Sequence, residues 1–222
     1  MRPEFPPYSP PPATGLPLVQ IDEDYLVLDK PAGLLSVPGR GSDKADCLAS
    51  RVQRAFPEAL TVHRLDMETS GLIVMARNPE AHRGLSAHFE ERRVFKRYLA
   101  VVAGNFNTSR GTVDLPLITD WPNRPLQKVD HETGKPSCTH FCVVSSGGAS
   151  GTSRVELEPV TGRSHQLRVH MMAIAHPILG DKLYAPADWR LAAPRLLLHA
   201  ERLAFPHPRT GSLCEFHSPA PF

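Results

Sequence analysis

At residues 63–76 the chain reads HRLDMETSGLIVMA, a polar segment that leads directly into an apolar one. The apolar part, 72–76, has the length and the residue types of a buried strand. In the polar part, charged and hydroxyl side chains surround Gly71, and glycine permits a tight turn. Polar loops at strand ends are frequent places for catalytic side chains. The stretch therefore predicts either a solvated turn with a local pair between Arg64 and Asp66, or a loop that presents a nucleophile.

The rest of the chain has many strand-like segments and few helix-like ones. Asn78, Pro79 and Glu80 form a typical helix start, with an N-cap, a proline in the first turn and an acidic residue behind it. Further helices are predicted over 45–56 and 164–175. Strands are predicted over 18–29 (as two short strands), 92–103, 111–119, 137–145, 153–159, 195–205 and 212–217, with a polar loop over 120–135 and a flexible hairpin tip over 145–153. Because strands and helices do not alternate regularly, the predicted fold class is α+β.

The composition is that of one ordinary domain. With 222 residues, of which 41% are hydrophobic and 22% charged, the chain is long enough to bury a sizeable core. No apolar run approaches the ~20 residues of a membrane span, and the first residues contain no apolar signal-peptide segment. We therefore expect a cytoplasmic protein that does not contact a membrane. Six prolines within the first twelve residues predict a disordered tail over 1–16, which leaves 17–222 as one domain.

The cysteines and histidines do not form a metal-binding pattern. Cys47, Cys138, Cys142 and Cys214 include no CxxC pair, and no HExxH motif accompanies the eleven histidines. We therefore expect no metal site. The net charge of +2 is too small to identify a nucleic-acid-binding protein, so only local clusters could contact a phosphate backbone. Two clusters are candidates: Arg92, Arg93, Lys96 and Arg97 in one segment, and Arg124 and Lys128 in the polar loop.

Five motifs together carry a family resemblance. The string HRLDxxTSG at 63–71 resembles the central motif of the RluA-type pseudouridine synthases, whose aspartate is the nucleophile. Four other segments resemble motifs of the same family and follow in the same order: KPAGLLSV at 30–37, KRYLA at 96–100, TGRSHQLRVH at 161–170 and RLLLHA at 195–200. Each motif is modest alone, but their combination is highly specific. The resemblance implies the pseudouridine synthase fold, a bent and mostly antiparallel mixed sheet with flanking helices and a central active-site cleft.

The polar loop narrows the expected substrate. Its sequence DWPNRPLQKV, at 120–129, resembles the branch of the family that modifies both a 23S rRNA hairpin and tRNA anticodon stem-loops. That branch has no separate RNA-binding domain of the S4 type, and we expect none before residue 17. The implied partners are these RNAs, with no obligate protein partner. Because the reaction breaks a C–N bond and forms a C–C bond within one nucleotide, without redox change, we expect no cofactor.

The resemblance also implies roles for individual side chains. Asp66 corresponds to the nucleophile, which forms a covalent intermediate at either C1′ of the ribose or C6 of the base. Arg163 corresponds to the catalytic arginine, which would pair with Asp66 and keep it ionised by lowering its pKa. Tyr98 corresponds to the active-site tyrosine, which could stack on uracil and assist loss of the C5 proton. Leu198 corresponds to an apolar side chain that packs in the active site.

The roles of Arg64 and Arg163 each allow an alternative. A uridine stacked in folded RNA must be extruded before it can react, and Arg64 could fill the space that the flipped base leaves. Alternatively, Arg64 is the partner of Asp66, and Arg163 is a surface residue. A helix over 164–175 would place Arg163, Gln166 and His170 on a common side.

Three other functions compete with a synthase of dual specificity. A relative with a single rRNA target would carry the same catalytic motifs, and the loop at 120–129 argues against it. A non-catalytic RNA-binding module would not need Asp66, Tyr98 and Arg163 together. A hydrolase with an aspartate nucleophile would need a second suitably placed carboxylate motif, which the sequence does not contain. The oligomeric state does not follow from the sequence.

Overall fold

The computed structural model describes residues 7–147 and 151–222. In chain order, the strands are β1 Leu18–Ile21, β2 Tyr25–Lys30, β3 Leu60–Thr61, β4 Ser70–Ala76, β5 Phe95–Ala103, β6 Arg110–Asp114, β7 Leu117–Thr119, β8 Gln127–Val129, β9 Cys138–Gly147, β10 Thr152–Pro159, β11 Leu198–Pro206 and β12 Leu213–His217. The helices are α1 Leu48–Gln53, α2 Pro79–Glu90, α3 Gln166–Ala173 and α4 Ala187–Leu191, and short 3-10 turns lie at Ser42–Lys44 and Trp121–Asn123.

The chain divides into two compact units, where the sequence predicted one domain over 17–222. The amino-terminal unit consists of Pro7–Lys96 and His199–Pro221, and the central unit of Arg97–Leu198 with Phe222. The crossings between Lys96 and Arg97 and between Leu198 and His199 fall inside strands, in β5 and in β11. A boundary inside a strand carries no linker composition, so sequence patterning could not reveal it.

In the amino-terminal unit the sheet order is β1-β2-β4-β11, with β3 on β4 and β12 on β11. The pairs are antiparallel except β4 with β11, which is parallel and sets Ser70 opposite His199. All seven residues of β4 are buried, as its apolar sequence predicted. Helix α2 packs Ala81 and Leu85 into the same core. Its start is also as predicted, because the Asn78 side chain accepts a hydrogen bond from the Ala81 amide at 2.8 Å.

In the central unit the strands β5-β10-β9-β6 form an antiparallel sheet, and β7 and β8 form a separate pair. Helix α3 packs against the larger sheet through Leu167 and Met171, which join a core with Val102, Val155 and Leu157. Together the two units contain mostly antiparallel strands with one parallel pair and four helices in the described ranges, so the α+β prediction is confirmed.

Several predicted segments differ from the observed ones for local reasons. Pro116 lacks the amide that a ladder needs, and the strand predicted over 111–119 is split into β6 and β7 around it. The loop predicted over 120–135 contains a 3-10 turn and the strand β8. The helix predicted over 45–56 is shortened to α1. Residues 148–150 of the predicted hairpin tip lie outside the described residues.

The described part of the proline-rich segment is held against the amino-terminal unit. The Tyr8 hydroxyl donates to the Asp46 carbonyl at 2.9 Å and accepts from the Leu35 amide at 3.1 Å. The Arg51 guanidinium donates to the Pro11 carbonyl at 2.7 Å. The prediction of a disordered tail is therefore wrong for residues 7–16, while residues 1–6 lie outside the description. Among the helices that the structure describes, none has the length and apolar character needed to cross a bilayer.

Candidate active site

The loop that carries Asp66 is fixed on one side by Ser36. Asp66 is half-buried, and its neighbour Leu65 is buried. The Ser36 hydroxyl donates to the Leu65 carbonyl at 2.7 Å and accepts from the Leu65 amide at 3.1 Å. One buried side chain thus satisfies both main-chain groups of the residue before Asp66, which a buried loop requires.

On the other side the loop is fixed by Lys30. This side chain has no exposed area, and its ammonium group donates to the carbonyls of Met67, Leu34 and Pro31 at 3.0, 2.7 and 2.9 Å. The three hydrogen bonds match the three donors of an ammonium group, which is what burial of a lysine requires. The Gly33 amide also donates to the Met67 carbonyl at 2.9 Å. The motif at 30–37 therefore holds the peptide groups on both sides of Asp66.

A buried hydrogen-bond chain fixes the strand that follows the loop. The Ser70 hydroxyl lies 2.8 Å from Nδ1 of His199, and Nε2 of His199 lies 3.0 Å from the Ser218 carbonyl. Because a carbonyl only accepts, Nε2 must carry a proton. The Ser218 hydroxyl in turn donates to the Asp29 carboxylate at 2.5 Å. This series of hydrogen bonds links β4 to β11, β2 and the carboxyl-terminal segment.

The next residue must be a glycine. Gly71 has φ 111°, and a Cβ atom there would lie 2.4 Å from the Ala200 carbonyl oxygen. Such a contact with main chain cannot relax cheaply, and the positive φ excludes most side chains. The glycine of the motif is therefore explained by the close approach of β4 to β11.

His63, at the start of the loop, is a neutral anchor. Its Nε2 accepts from the Val74 amide at 3.1 Å, and its ring stacks on Phe89 with centroids 4.5 Å apart. Burial, with a smaller contribution from the nearby Lys96 charge, lowers the pKa of His63 to about 3. The imidazole therefore stays uncharged at neutral pH and keeps its acceptor.

This depressed pKa predicts a pH-dependent stability. An unfolded histidine gains a proton as pH falls through about 6.5, whereas the folded one does so only near 3, so its contribution is complete above 6.5 and is lost as pH falls toward 3. From pH 8 to 5 we expect the stability advantage of wild type over His63→Gln to shrink by about 2 kcal/mol. Urea unfolding of both proteins at the two pH values measures it.

Glutamine keeps an acceptor for the Val74 amide, so the comparison isolates the ring. His88 and His170, whose pKa values are also lowered by burial, are present in both proteins and cancel. An advantage that stays constant from pH 8 to 5 would mean that His63 is not the titrating group.

Arg64 does not pair with Asp66. Its side chain is exposed, and it forms no ion pair with any residue that the structure describes. The interpretation that treats Arg64 as the partner of Asp66 is therefore wrong. Arg92 is likewise exposed, with φ 60° at the turn after α2, while Arg93 pairs with Glu91 at 2.6 Å.

Lys96 is half-buried, unlike Arg92 and Arg93 of the same cluster. Its Nζ lies 5.9 Å from the Phe89 ring centroid, and burial lowers its pKa. Arg97, in the central unit, is held by Glu158 at 2.9 Å and Glu156 at 3.2 Å. These carboxylates already balance the Arg97 charge, which sequence patterning could not anticipate because they lie on the neighbouring strand β10.

Arg163 lies outside the helix that was predicted to include its neighbours. His165 has φ 55°, in the left-handed region, and α3 begins only at Gln166. Gln166 and His170 do share a helix side, since both hydrogen-bond to Thr139 at 3.0 and 2.9 Å, but Arg163 does not belong to it. The Arg163 side chain is exposed and forms no ion pair in the described part of the chain, so the predicted dry surroundings are wrong.

The buried arginine of this motif is Arg168, which the sequence analysis passed over. Its guanidinium makes two hydrogen bonds to the Asp181 carboxylate, at 2.8 and 2.7 Å, and both side chains are at most 4% exposed. Asp181 also accepts from the amides of Leu183 and Tyr184 at 2.9 and 3.2 Å. The position of Arg168 between two apolar residues of a predicted helix could have indicated that it is buried. Its partner could not be recognised from the sequence, because it lies thirteen positions further on.

Of the remaining predicted residues in the central unit, two pack at its core and two lie on its surface. Tyr98 lies on β5 opposite Leu157 and is half-buried against the hydrophobic cluster that contains Leu198. Leu198 itself is 3% exposed. Arg124 and Lys128 are exposed on the polar loop, where Lys128 lies 3.8 Å from Asp130.

One group of side chains has the composition of a cation site. Ligand atoms of Asp22, Asp24 and His207 lie within 4.8 Å of one another. However, Arg209 donates to Asp24 at 2.9 Å, and Asn78 donates to its other oxygen at 3.0 Å. Protein donors therefore already use both Asp24 oxygens, and the group is an ion-pair network.

Comparison with known proteins identifies the family of the chain. Residues 24–173 match the model of the family described as RNA pseudouridylate synthase. The chain belongs to this family of RNA-modifying isomerases, and the predicted enzyme class is confirmed.

Individual relatives cover nearly the whole chain. The chain is 53% identical over 215 residues to the dual-specificity RNA pseudouridine synthase RluA of Escherichia coli (strain K12), which spans 97% of this chain and 98% of that protein. It is 48% identical over 215 residues to the protein of the same name from Pasteurella multocida (strain Pm70), with the same shares covered. The structure of human RNA Pseudouridylate Synthase Domain Containing 1 matches with a TM-score of 0.79 at 33% identity, covering 96% of this chain and 87% of that one.

Proposed function

We propose that the chain isomerises specific uridines to pseudouridine in structured RNA, with a 23S rRNA hairpin loop and tRNA anticodon stem-loops as substrates. The observation that carries the proposal is the loop around Asp66, a half-buried carboxylate whose neighbouring peptide groups are hydrogen-bonded to Ser36 and Lys30. Such anchoring holds a nucleophile in one geometry before substrate arrives. The name "dual-specificity" of relatives at 53% identity favours two kinds of RNA target.

The chemistry needs few groups. The Asp66 carboxylate forms a covalent bond at C1′ or C6, the bond between C1′ and N1 breaks, and the detached uracil turns to present C5. A bond then forms between C5 and C1′, the bond to Asp66 breaks, the C5 proton leaves, assisted by Tyr98, and N1 takes up a proton. The product has the same atoms as the substrate, so the scheme uses no oxidant, reductant or cofactor. Leu198 supplies apolar surface for the base.

The arginines divide into interior and solvent-facing ones. Of the two in the motif at 161–170, we assign the interior charge to Arg168, in its buried pair with Asp181. Arg163, exposed before the helix, is assigned to phosphate contact in place of the catalytic role that the resemblance implied. Arg97 is a poor phosphate ligand because two glutamates already bind it.

The solvent-facing basic residues form the proposed RNA contacts. Arg64, Arg92, Arg93, Arg124 and Lys128 are exposed, and phosphate contacts position the substrate. We assign half-buried Lys96 to an RNA contact nearer the loop that carries the nucleophile. Its ammonium group lies near the Phe89 ring, on which His63 of that loop stacks. We assign the whole of 17–222 to catalysis and place the reaction in the cytoplasm, where these RNAs mature, without a protein partner.

Arg64→Ala is expected to slow modification of a folded hairpin about 10- to 100-fold, and modification of a flexible single strand of the same sequence much less. The reason is that extrusion of a stacked base costs a few kcal/mol, and an exposed guanidinium can take the place of that base. Single-turnover rates on the two substrates measure the difference. Arg40→Ala, which removes another exposed arginine of the same unit, is the control. Equal slowing on both substrates would contradict a base-flipping role.

The proposed function is tested by mapping pseudouridine in total RNA from a strain that lacks the gene, with and without a plasmid copy. We expect loss at one 23S rRNA hairpin and in a set of tRNA anticodon stem-loops, and restoration by the wild-type copy. Loss in rRNA alone would support the alternative with one target. An unchanged pseudouridine map would contradict the proposal.

A further inference from the structure

The polar loop presents a large aromatic side chain to solvent. Trp121 is 66% exposed, and burial of such a ring usually contributes strongly to stability. The Arg124 guanidinium carbon lies 4.0 Å from the Trp121 ring centroid, and its Nε donates to the Trp121 carbonyl at 3.1 Å. The arginine therefore covers one face of the indole, and the high exposure leaves the opposite face open.

The turn that carries this ring is held by its own hydrogen bonds. The Asp120 amide donates to the Leu126 carbonyl at 2.9 Å, and the Leu126 amide donates to the Asn123 carbonyl at 3.1 Å. The Asn123 side chain also donates to the Asp120 carboxylate at 2.9 Å. Pro122 and Pro125 limit the backbone further. The ring is thus presented by a preorganised turn, which lowers the entropy cost of binding a ligand.

The turn is connected to the motif at 161–170. The Gln127 amide donates to the Tyr184 hydroxyl at 2.9 Å, and the same hydroxyl lies 2.6 Å from Nδ1 of His165. The Tyr184 ring also lies 5.1 Å from the guanidinium carbon of buried Arg168. Within the central unit, the loop that carries the indole is therefore hydrogen-bonded, through Gln127 and Tyr184, to the motif at 161–170.

We propose that the open face of Trp121 stacks on an unpaired nucleobase in the loop of the substrate RNA, while Arg124 remains on the other face. An aromatic ring backed by a guanidinium suits a flat, electron-rich base in a polyanion, and single-stranded bases are bound by such stacking. Bases inside a duplex are covered by their neighbours and do not fit. The inference rests on the proposed function and adds the loop base that this surface binds.

Stacking is tolerant of base identity because every base has a π face. A Trp121 contact would thus favour RNA with an unpaired loop over duplex, and it would do so for loops of different sequence. This is a property that an enzyme with both rRNA and tRNA substrates needs.

Fluorescence tests the contact directly. The chain has two tryptophans, Trp121 and Trp189, so Trp189→Phe leaves one reporter. We expect an unlabelled stem-loop to quench this fluorescence, and a blunt duplex of equal charge to quench it much less. Equal quenching by both RNAs, or none by the stem-loop, would overturn the proposal.

Kinetics give a second readout. Trp121→Ala is expected to raise KM for the stem-loop about 5- to 100-fold, the range of base–aromatic stacking, with kcat changed less than about twofold. Trp121→Tyr should restore most of the loss, because it keeps an aromatic face. Leu191→Ala removes another exposed apolar side chain of the central unit and should leave KM unchanged.

The outcomes separate the two proposals. A KM shift below about twofold for Trp121→Ala, or an equal shift for Leu191→Ala, overturns the stacking contact while isomerisation by the wild type stands. Absence of isomerisation in the wild type overturns the proposed function, and the quenching comparison alone then decides whether Trp121 binds an unpaired base.

Discussion

Asp66→Asn is expected to lower pseudouridine formation by at least about 10⁴-fold, as removal of a covalent nucleophile does in other enzymes. The amide keeps the shape of the side chain but loses the charge and the nucleophilic oxygen. Product analysis of a stem-loop after long incubation, by nuclease digestion and chromatography, measures the loss.

The fold of this variant should survive. The loop is fixed through the main-chain groups of Leu65 and Met67, by bonds to Ser36 and Lys30, and none of these bonds uses the Asp66 carboxylate. A thermal melt and a stem-loop binding assay are therefore expected to resemble those of the wild type. A folded, RNA-binding Asp66→Asn protein that retains an appreciable rate would remove Asp66 from the mechanism.

Asp181→Ala is expected to destabilise the protein by about 3–5 kcal/mol, because it removes the carboxylate that accepts two hydrogen bonds from the buried Arg168 guanidinium. Two main-chain amides, of Leu183 and Tyr184, lose their acceptor at the same time. Urea unfolding followed by circular dichroism measures the change. Glu91→Ala, which breaks a pair whose side chains are both at least half exposed, is the control and should cost less than about 1 kcal/mol.

A second substitution separates the loss of the ion pair from the loss of packing. In the Asp181→Ala background, Arg168→Met removes the charge and keeps an apolar side chain, so part of the stability should return. If Asp181→Ala costs no more than Glu91→Ala, the pair does not stabilise the central unit.

Much of the fold could be predicted because local signals and tertiary packing agree. The apolar run of β4 is buried throughout, and the Asn78 cap is made as expected. Residues 18–29 were predicted to form two short strands around a turn, and β1 and β2 pair antiparallel on either side of that turn. In each case the residue pattern within one segment is sufficient to specify the element.

The errors have a common origin in long-range contacts. Arg163 and Arg168 lie in one motif, and their burial depends on the left-handed conformation of His165 and on Asp181. Arg97 belongs to a basic cluster in sequence but faces two glutamates on another strand. A helix or strand pattern contains no information about such partners.

The sequence suggests which side chain is the nucleophile of the candidate site, but it does not show which residues hold the loop that carries it. The motif at 63–71 predicts Asp66 as the nucleophile from the sequence, whereas the bonds that hold its loop come from Lys30 and Ser36, more than 25 residues earlier. The link from Ser70 through His199 to Ser218 and Asp29 spans almost the whole chain. Only the folded structure brings these groups to one another.

The central claim, isomerisation of uridine through Asp66, is tested most directly with a stem-loop transcript that carries tritium at C5 of its uridines. Each conversion to pseudouridine replaces the C5–H bond by a bond to C1′ and releases one tritium to water, while the mass of the unlabelled RNA is unchanged. We expect tritium release by the purified wild-type protein, up to the number of target uridines, and none by Asp66→Asn. A folded wild-type protein that binds the stem-loop but releases no tritium, or an Asp66→Asn protein that releases it at the wild-type rate, would contradict the account.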